Sequence, residues 1–327
     1  MLITIPCMLM RGGTSKGPFF LVSDLPEDAA SRDQVLLSVM GSPDIRQIDG
    51  IGGGNTLTSK AIIVGASARP GIDIDYLFAQ VSITENTVDT GPNCGNMLSA
   101  VAPFAIERGL VAAVDPQTSV RIFNINTNKV IEAIVQTPGG RVTYDGAVRV
   151  DGVPGTGAGV VLKFLDAAGA KTGKLLPTGN AIDIIDDVAV SCVDFTTPMV
   201  LIAAASVGKS GHESKAELDS DSALLARLEQ LRLQAALLMG MGDVSAQVLP
   251  KLALLSSPSA GGTISSRYFV PWNCHAAHAA TGATCVAAAC CIPGTVAALI
   301  APTGPGDRKS TRLNSSHIQK SRMPSSA

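Results

Sequence analysis

The sequence predicts an α+β protein built from two pseudo-symmetric lobes, and three observations lead to this prediction. The chain has 327 residues, which suits two lobes or one large domain better than one small module. Short apolar runs bounded by turn signals alternate with amphipathic helical segments along most of it. The order of these segments in the first half recurs in the second half, which indicates an internal duplication.

The first half begins with two predicted strands, a helix and two further strands. TIPCML and GPFFLV flank the loop RGGTSK, and apolar residues recur at helical spacing from Ser31 to Met40 behind a Ser-x-Asp start. The glycine-rich loop DGIGGGNTLTS leads into the strands KAIIVGA and YLFAQVSI. A second helix opens at GPNCGNM, where Asn93 can cap the first turn and Gly109 can end the helix.

The second half repeats this order. VAVSCV and PMVLIAAA are strands around a polar turn, and they precede an amphipathic helix from Ser220 to Leu238. The strands PKLALLSS and ISSRYFVP follow, and a helix of small residues opens at TGATC. Such an order can recur by chance in a mixed protein. The matched lysines favour duplication, because Lys60 precedes Cys94 by 34 positions and Lys251 precedes Thr281 by 30.

The predicted lobes are residues 1–178 and 179–303. Between the duplicated segments, VRIFNIN, KVIEAIVQ, RVTYDG and GVVLKFL alternate with PGG, DG and VPGTG, a strand-and-turn series that we expect to complete the first lobe. LPTGN, which ends at Asn180, is the predicted linker. Residues 304–327 are predicted to be a non-native or disordered tail, because they are rich in Ser and basic residues without periodicity. RKSTRLNSSHIQKSRMPSSA resembles translated adapter or vector sequence, so the second lobe is predicted to be truncated.

Composition argues for a cytoplasmic protein with a small-molecule partner. The net charge is −2 at pH 7, which provides no broad basic field for nucleic acid or anionic lipid. The apolar stretch from Thr281 to Leu299 is rich in Ala and Cys and is predicted to be a buried helix instead of a membrane span. The seven cysteines lack CxxC spacing and are typical of reduced thiols. A homodimer is compatible with the sequence.

The glycine-rich loops and helix starts predict a pocket for a small polycarboxylate. A pseudo-twofold arrangement can face two helix N-termini toward one cleft, and helix N-termini stabilise anions. Neither glycine-rich loop fits GxxxxGK[ST] or GxGxxG between a strand and a helix, which argues against a nucleotide site. The candidate substrate-binding residues are Arg11, Gly13, Thr14, Ser15, Lys16, Asn55, Ser59, Asn93, Gly95, Asn96, Arg267, His275, Thr281 and Gly282.

Cys94 and Lys60 are the candidate catalytic residues. Cys94 lies at a predicted helix start, where the helix dipole favours a thiolate that can give or take a proton. Lys60 begins an apolar strand beside a glycine loop, where partial burial would favour the neutral amine and make it a usable base. The alternatives are a buried inert cysteine and a strand-end surface lysine.

No metal or other cofactor is predicted. His275 and His278 in NCHAAH lie near Cys274, but the sequence offers no second cluster of ligands, so structural or substrate-contacting histidines are favoured. Arg267 in SSRYFVP is a candidate carboxylate clamp through bidentate pairing. A surface salt bridge is an equally good interpretation of this arginine.

Several motifs in order resemble one known family. MRGGTSKG, GSPDIRQIDGIGG, TSK and NCGNM are similar to the PrpF-like family of diaminopimelate-epimerase fold, and within it to the 4-oxalomesaconate tautomerases of gallate degradation. LPTGN, GDVS and the HAA…TGA region extend the resemblance to about residues 3–303. It implies lobes in which a mixed sheet wraps around a central helix. It also implies cofactor-independent keto–enol tautomerisation, with the family's lysine and thiol at Lys60 and Cys94.

One departure from the epimerase pattern bears on the reaction. Epimerases of this fold carry a cysteine at the helix start of each lobe, whereas the second helix here begins with Thr281, Gly282 and Ala283 and its nearest thiol is Cys285. This asymmetry argues against racemisation. The alternatives left open are a 1,3-allylic isomerase of aconitate, methylitaconate or oxalomesaconate, and a non-catalytic carboxylate-binding protein of the same fold.

Overall fold

The computed structural model describes residues 4–150, 152–259, 262–270 and 272–301, and the backbone of Ser316–Arg322. The chain forms two compact units, Met1–Leu165 with Ser316–Ala327, and Asp166–Ser315. The helices and strands of the first unit are β1 (Met8–Gly12), β2 (Ser15–Leu21), α1 (Ala29–Met40), β3 (Lys60–Ala66), β4 (Ile74–Val81), β5 (Val88–Asp89), α2 (Gly95–Glu107), β6 (Gln117–Asn124), β7 (Lys129–Gln136) and β8 (Gly159–Phe164). Those of the second unit are β9 (Asp183–Ile185), β10 (Val188–Phe195), β11 (Thr197–Ala203), α3 (Lys215–Ser220), α4 (Ser222–Leu238), β12 (Lys251–Ser256), β13 (Ser265–Phe269), α5 (Ala280–Cys290) and α6 (Val296–Ile300). The last strand, β14 (Ser316–Arg322), belongs to the first unit.

The sheet of the first unit curls around α2. Its strand order is β3-β2-β1-β14-β8-β7-β6-β4-β5, and an additional pairing between β3 and β4 closes the curl. Every residue of α2 from Gly95 to Ala105 is buried. A helix enclosed by strands must be apolar on all sides, which explains its run of Ala, Val, Leu and Phe. The predicted mixed sheet around a central helix is confirmed.

The β3–β4 pair has two buried faces. Side chains of Ile62, Val64, Tyr76 and Phe78 join the apolar cluster around α2. The intervening residues, including Ile63 and Ala79, join a second cluster beneath α1. Because successive side chains of a strand point to opposite faces, Lys60 and its cross-strand partner Gln80 lie on the α2 face.

The second unit repeats the plan with an open sheet of order β13-β12-β11-β10-β9. α4 packs on one face and α5 with α6 on the other. The hairpin β10–β11 matches β1–β2, and the parallel pair β11–β12 matches β2–β3. The antiparallel pair β12–β13 likewise matches β3–β4, so the same succession of pairings occurs in both units.

Three local predictions need correction. α1 begins at Ala29 behind Asp28, whose carboxylate accepts a hydrogen bond from the Ser31 amide, so the Ser-x-Asp motif lies inside the helix. The predicted helix from Ser220 to Leu238 is α4, which begins two residues later at Ser222, behind its cap Asp221, whose carboxylate accepts from Leu224 N. RVTYDG forms no strand.

The chain passes between the units earlier than the predicted boundary at residue 178. Asp166–Thr178 lies in the second unit because this segment is held on β10 by Asp194. The buried Asp194 carboxylate accepts hydrogen bonds from the amides of Lys171 and Thr172, and its own amide donates to Leu175 O. LPTGN therefore lies inside the second unit.

The predicted tail contains one strand. The backbone of β14 pairs with β1 and with β8, so Ser316–Arg322 form a strand within the segment predicted to be a non-native or disordered tail. The predictions for residues 304–315 and 323–327 fall outside the described residues. The suggested non-native origin of the segment stays a prediction.

The apolar stretch from Thr281 to Leu299 lies on the second sheet as α5 and α6. Both helices contribute buried residues to the cluster that they form with β10, β11 and β12. None of the helices in the described part of the chain has the combination of length and apolarity that a membrane span needs.

Arg232 of α4 fixes the loop that leads into β12. The side chain is fully buried and forms two 2.7 Å hydrogen bonds to the Glu229 carboxylate. The remaining guanidinium hydrogens go to the carbonyl oxygens of Val244, Gln247 and Leu249. One buried cation therefore satisfies three loop carbonyls that the fold removes from water.

Replacing Arg232 tests this clamp. Arg232→Met leaves the loop carbonyls unsatisfied and is expected to lower the free energy of unfolding by about 3 kcal/mol. Urea denaturation followed by circular dichroism measures the change. Arg227→Met on the same helix removes a half-exposed ion pair to Asp186 and is expected to cost less than about 1 kcal/mol. Equal losses in the two variants would contradict the clamp.

Candidate active site

Lys60 is the first residue of β3, and its amine is held against β4. Nζ donates a 2.7 Å hydrogen bond to Gln80 Oε1 and lies 5.0 Å from the centre of the Phe78 ring. Only 8% of the residue is exposed. Lys60 is therefore more deeply buried than the sequence predicts for the start of a strand, and the surface-lysine alternative does not fit this geometry.

The α2 face of β4 also holds the backbone of Cys94. Tyr76 lies on the same face as Phe78 and Gln80, and its hydroxyl donates a 3.3 Å hydrogen bond to Cys94 O. Tyr76 and Phe78 are two residues apart, which is roughly 7 Å along a strand. One strand thus positions both the amine of Lys60 and the start of α2 on a single face of one sheet.

Cys94 is the N-cap residue of α2, where Asn93 was the predicted cap. Its backbone is extended, its carbonyl accepts from Leu98 N, and its side chain makes no capping hydrogen bond. The first turn of α2 contains no acidic residue. Asn93 instead accepts a 2.8 Å hydrogen bond from Asn124 Nδ2. The partly buried thiol therefore stands at the positive end of a buried helix dipole.

The hairpin β1–β2 lies tightly between β3 and α2. A Cβ atom on Gly17 would be 2.0 Å from Lys60 O, and one on Gly12 would be 2.2 Å from Asn96 O. Only glycine permits these approaches. At the turn, Thr14 Oγ1 accepts a 2.9 Å hydrogen bond from Asn96 Nδ2. The hairpin consequently joins the strand that begins with Lys60 to the first turn of α2.

Other predicted residues of the first unit line the same hairpin. Arg11 and Lys16 are cross-strand partners, and Arg11 donates to Gly13 O at the turn. Ser15 is 1% exposed, and its hydroxyl makes no hydrogen bond to the described residues. Because Met10 and Phe19 join the cluster around α2, strand alternation puts Ser15 on the α2 face and Arg11 with Lys16 on the other face of the hairpin. The structure therefore brings the predicted hydroxyl, but not the two predicted cations, to the face of the hairpin that meets the first turn of α2.

Two predicted binding residues have roles inside the protein. Ser59 is fully buried, and its hydroxyl donates to Val81 O while it accepts from Gln47 Nε2. This geometry removes Ser59 from the substrate-binding set. Asn55 folds its own loop, because its Oδ1 accepts from Leu57 N and its carbonyl from Thr58 N.

Gln47 organises the loop between α1 and β3. It is 1% exposed and its amide bonds Ser42 Oγ, Ser59 Oγ and Gly54 N. The resemblance motif GSPDIRQIDGIGG therefore has a structural explanation: the loop folds around one buried amide and delivers Lys60 to the start of β3. A lone glutamine among polar loop residues gives no sequence signal for this role.

In the second unit, α5 begins at Ala280 behind Ala279, and not at Thr281 as predicted. Thr281 O accepts from Thr196 Oγ1 of the hairpin turn, as Asn96 bonds Thr14 in the first unit. By this correspondence Ala279 occupies the position of Cys94. Cys285 lies in the core, where burial raises the pKa of its thiol to about 12. The described residues thus provide no second thiol at a helix start.

The remaining predicted residues of this unit surround Tyr268. A Cβ on Gly282 would lie 2.4 Å from the Tyr268 ring, so this glycine serves helix–strand packing. His275 Nδ1 accepts from Ala277 N, and the His275 ring meets Tyr268 edge-on at 5.8 Å. Arg267 Nη2 donates to His212 O, while its buried Nε makes no hydrogen bond to the described residues.

The histidines form no metal site with the neighbouring cysteine. Cys274 Sγ contacts His275 O, and His278 bonds Ser266 Oγ and Ala279 O. Burial lowers the pKa of His278, which favours the neutral ring. Over the part of the chain that the structure describes, no group of three or more His, Cys, Asp or Glu side chains is arranged to hold a metal ion.

Comparison with known proteins identifies the family. The model of the PrpF protein family matches residues 2–320. The chain belongs to the PrpF family. It is 54% identical to the 4-oxalomesaconate tautomerase of Pseudomonas putida over 305 residues, which cover 93% of this chain and 84% of that protein. These findings confirm the resemblance that the motifs predicted.

Solved structures agree with this assignment. The crystal structure of methylitaconate-delta-isomerase superposes with a TM-score of 0.81 at 37% identity and covers 98% of this chain and 93% of its own. A hydroxyproline epimerase from Agrobacterium vitis, at 10% identity and a TM-score of 0.53, shares the fold over 92% of this chain and 78% of its own. The PrpF-family chain is therefore an isomerase with an epimerase-like fold.

The close approach of Gly12 to α2 gives a test of the site's geometry. In Gly12→Ala the new methyl group collides with Asn96 O and Met97 Cα, so the hairpin or the helix start must move. We expect a loss of about 1–3 kcal/mol in unfolding free energy, measured by urea denaturation. Gly65→Ala on β3 is the control, because its methyl group meets only the Val22 side chain. A wild-type midpoint for Gly12→Ala would contradict the packing described.

Proposed function

We propose that this PrpF-family isomerase catalyses the keto–enol tautomerisation of 4-oxalomesaconate, the reaction of gallate degradation, with Lys60 as the base. The observation that carries the proposal is the buried Lys60 amine on the same face of β4 that holds the start of α2. The relative from Pseudomonas putida, named for this reaction, supports the choice of substrate. No metal or cofactor takes part in the proposed reaction.

The reaction needs one proton removed and one returned. The carbon between the ketone and the double bond of oxalomesaconate bears an acidic proton, because the resulting anion is delocalised over both groups. Lys60 Nζ in its neutral form takes this proton, and the C–H electron pair moves to the ketone oxygen to give a dienolate. Protonation of that oxygen completes the enol, and the proton on Lys60 then passes, directly or through solvent, to the group that protonated the oxygen, which regenerates both groups.

The first turn of α2 is suited to the developing negative charge. Its dipole has a positive end at Cys94 and no acidic residue in the first turn opposes it. The buried Ser15 hydroxyl, on the same face as this helix start, offers a hydrogen-bond donor to a carboxylate of the substrate. Cys94 either delivers the proton to the dienolate or shapes the pocket at the helix start.

A 1,3-allylic isomerisation is the second candidate. The same dienolate gives an allylic isomer when the proton returns to the distal carbon instead of the oxygen, so Lys60 and Cys94 serve either outcome. The similarity to methylitaconate-delta-isomerase supports this candidate. A purely carboxylate-binding protein of this fold has no need for a buried amine at a strand start, and Lys60 therefore argues against it.

Proton exchange separates the three candidates. Purified enzyme in deuterated water is incubated with oxalomesaconate, aconitate or methylitaconate, and NMR follows both deuterium incorporation and conversion. We expect deuterium exchange with oxalomesaconate and its conversion to the enol, whereas its conversion to an isomer with a shifted double bond would support the allylic reaction. Conversion of aconitate or methylitaconate alone would support the allylic reaction, and binding without exchange on any substrate would support the non-catalytic alternative.

Substitution of Lys60 tests its role as the base. Lys60→Met keeps the apolar stem but removes the amine, and we expect kcat to fall by at least about a thousandfold with folding retained. Lys163→Met on β8 is the control, because it removes a half-exposed lysine paired with Glu132 in the same sheet. Circular dichroism checks folding in both variants. An active Lys60→Met enzyme would refute the assignment.

Cys94 is tested separately with Cys94→Ser and Cys94→Ala. A thiol that delivers the proton is expected to cost at least about a hundredfold in kcat in both variants. A thiol that only shapes the pocket is expected to leave the kcat of Cys94→Ser within about tenfold of wild type. Cys192→Ala is the control, because this thiol lies fully buried in the second unit.

A further inference from the structure

We propose that Gln80 is the positioning residue of the active site, and that its fixed side-chain amide orients the Lys60 amine for proton transfer. The inference rests on the proposed role of Lys60 as the base. Gln80 is not part of any motif that marks the family resemblance in this sequence. It lies in the middle of the apolar strand YLFAQVSI, where an amide is unexpected.

The contact follows from strand pairing. Lys60 and Gln80 are directly opposite in the antiparallel β3–β4 pair, so their side chains leave the sheet on one face. Gln80 Oε1 accepts from Lys60 Nζ at 2.7 Å. A lysine side chain has four rotatable bonds and places its amine poorly when unsupported. The cross-strand amide limits Nζ to one position at the end of the closed sheet where β3 begins.

The orientation of the amide is fixed by its other end. Gln80 Nε2 donates to Ser59 O at 2.7 Å and is 3.3 Å from Thr56 O. Both partners are carbonyl oxygens, which can only accept. A flipped amide would place oxygen against oxygen on that side and nitrogen against the lysine on the other. Oε1 must therefore face Nζ, and the loop before β3 holds it there.

Phe78 completes the support from beneath. Its ring centre is 5.0 Å from Nζ, a distance at which the ring face attracts an ammonium. Gln80 and Phe78 thus both favour the ammonium that Lys60 becomes after it accepts a proton. Together they stabilise the product of proton abstraction. Because both side chains are neutral, they do so without repelling the carboxylates of the substrate.

The neighbouring charged groups have other partners or lie on other strands. Asp89 of β5 pairs with Gln80 on its far side, and its carboxylate accepts from Gly91 N. Lys16 lies on β2 opposite Arg11, and the Cys94 thiol lies at the start of α2. Gln80 is the only side chain to which the described hydrogen bonds join Lys60 Nζ.

The second unit shows that the fold itself does not need this contact. Lys251 begins β12 as Lys60 begins β3. Leu252 pairs with Phe269 in the antiparallel β12–β13 pair, so the residue that follows Phe269 on the side of Lys251 is the apolar Val270. The same succession of strand pairings thus forms with no glutamine facing its lysine. The amide is specific to the unit that carries Cys94.

Two variants test Gln80 by kinetics. Gln80→Met removes the acceptor and keeps the length of the side chain, and Gln80→Glu keeps an acceptor and adds a charge. We expect Gln80→Met to lower kcat at least about tenfold and to change KM less than about twofold, because no substrate contact is removed. The matched control is Gln136→Met on β7, whose Oε1 accepts from Gln117 on the exposed surface. Thermal melts verify folding, and if one Gln80 variant does not fold the other decides.

A second readout does not depend on turnover. Acetic anhydride acylates neutral amines, so the pH dependence of Lys60 acylation, read by mass spectrometry, reports when the amine is free to act as a base. We expect the midpoint of both Gln80 variants to differ from that of wild type, because Gln80→Glu sets a carboxylate against the amine and Gln80→Met removes its hydrogen-bond acceptor. Wild-type protein and Gln136→Met are expected to give the same midpoint.

The outcomes separate the two proposals. Unchanged midpoints in both Gln80 variants overturn the positioning role, whatever their kcat, because a merely structural residue leaves the titration of Lys60 unmoved. Shifted midpoints with wild-type kcat in both variants also overturn it. Absence of turnover by the wild-type enzyme overturns the proposed function alone, and the acylation midpoints then decide whether Gln80 controls the amine.

Discussion

The pairing of β3 with β4 is the interaction on which the candidate site depends. It closes the sheet of the first unit around α2, and it places Lys60 opposite Gln80 on the inner face. The same face of β4 carries Tyr76, which binds the carbonyl of Cys94. A shift of register by one residue would turn Lys60 to the α1 side and disconnect it from the helix start. The same strand pairing thus closes the sheet of the first unit and sets the geometry of the candidate site.

The duplicated architecture provides the scaffold, and its asymmetry determines the chemistry. Both units present a hairpin turn that is hydrogen-bonded to the first turn of a helix, through Thr14 and through Thr196. Only the first unit places a thiol at the cap, and the corresponding residue in the second is Ala279. The proposed base in one unit, without a matching thiol in the other, suits a proton shift better than inversion of a stereocentre.

The sequence predicted most of this fold, because its strands carry strong alternation or apolar runs. KAIIVGA, for example, is β3 without a shift at either end. Helix starts were predicted less well: Asp28, Cys94 and Ala279 are the caps, and neither Cys94 nor Ala279 makes a side-chain capping hydrogen bond. Tertiary packing of α2 and α5 fixes where those helices begin, and a short sequence motif cannot predict contacts with distant parts of the chain.

Within the candidate site, the sequence proposes Lys60 and Cys94 but gives no sign of the glutamines that fix the start of β3 and the Lys60 amine. Gln47 and Gln80 act through side-chain amides whose partners lie 5 to 24 residues away in the loop or on another strand, so no spacing rule reveals them. The most direct test of the account is a crystal structure with a bound, unreactive analogue of oxalomesaconate. We predict Lys60 Nζ within about 3.5 Å of the carbon that loses its proton, with Gln80 still in contact. An analogue bound away from Lys60 would contradict the account.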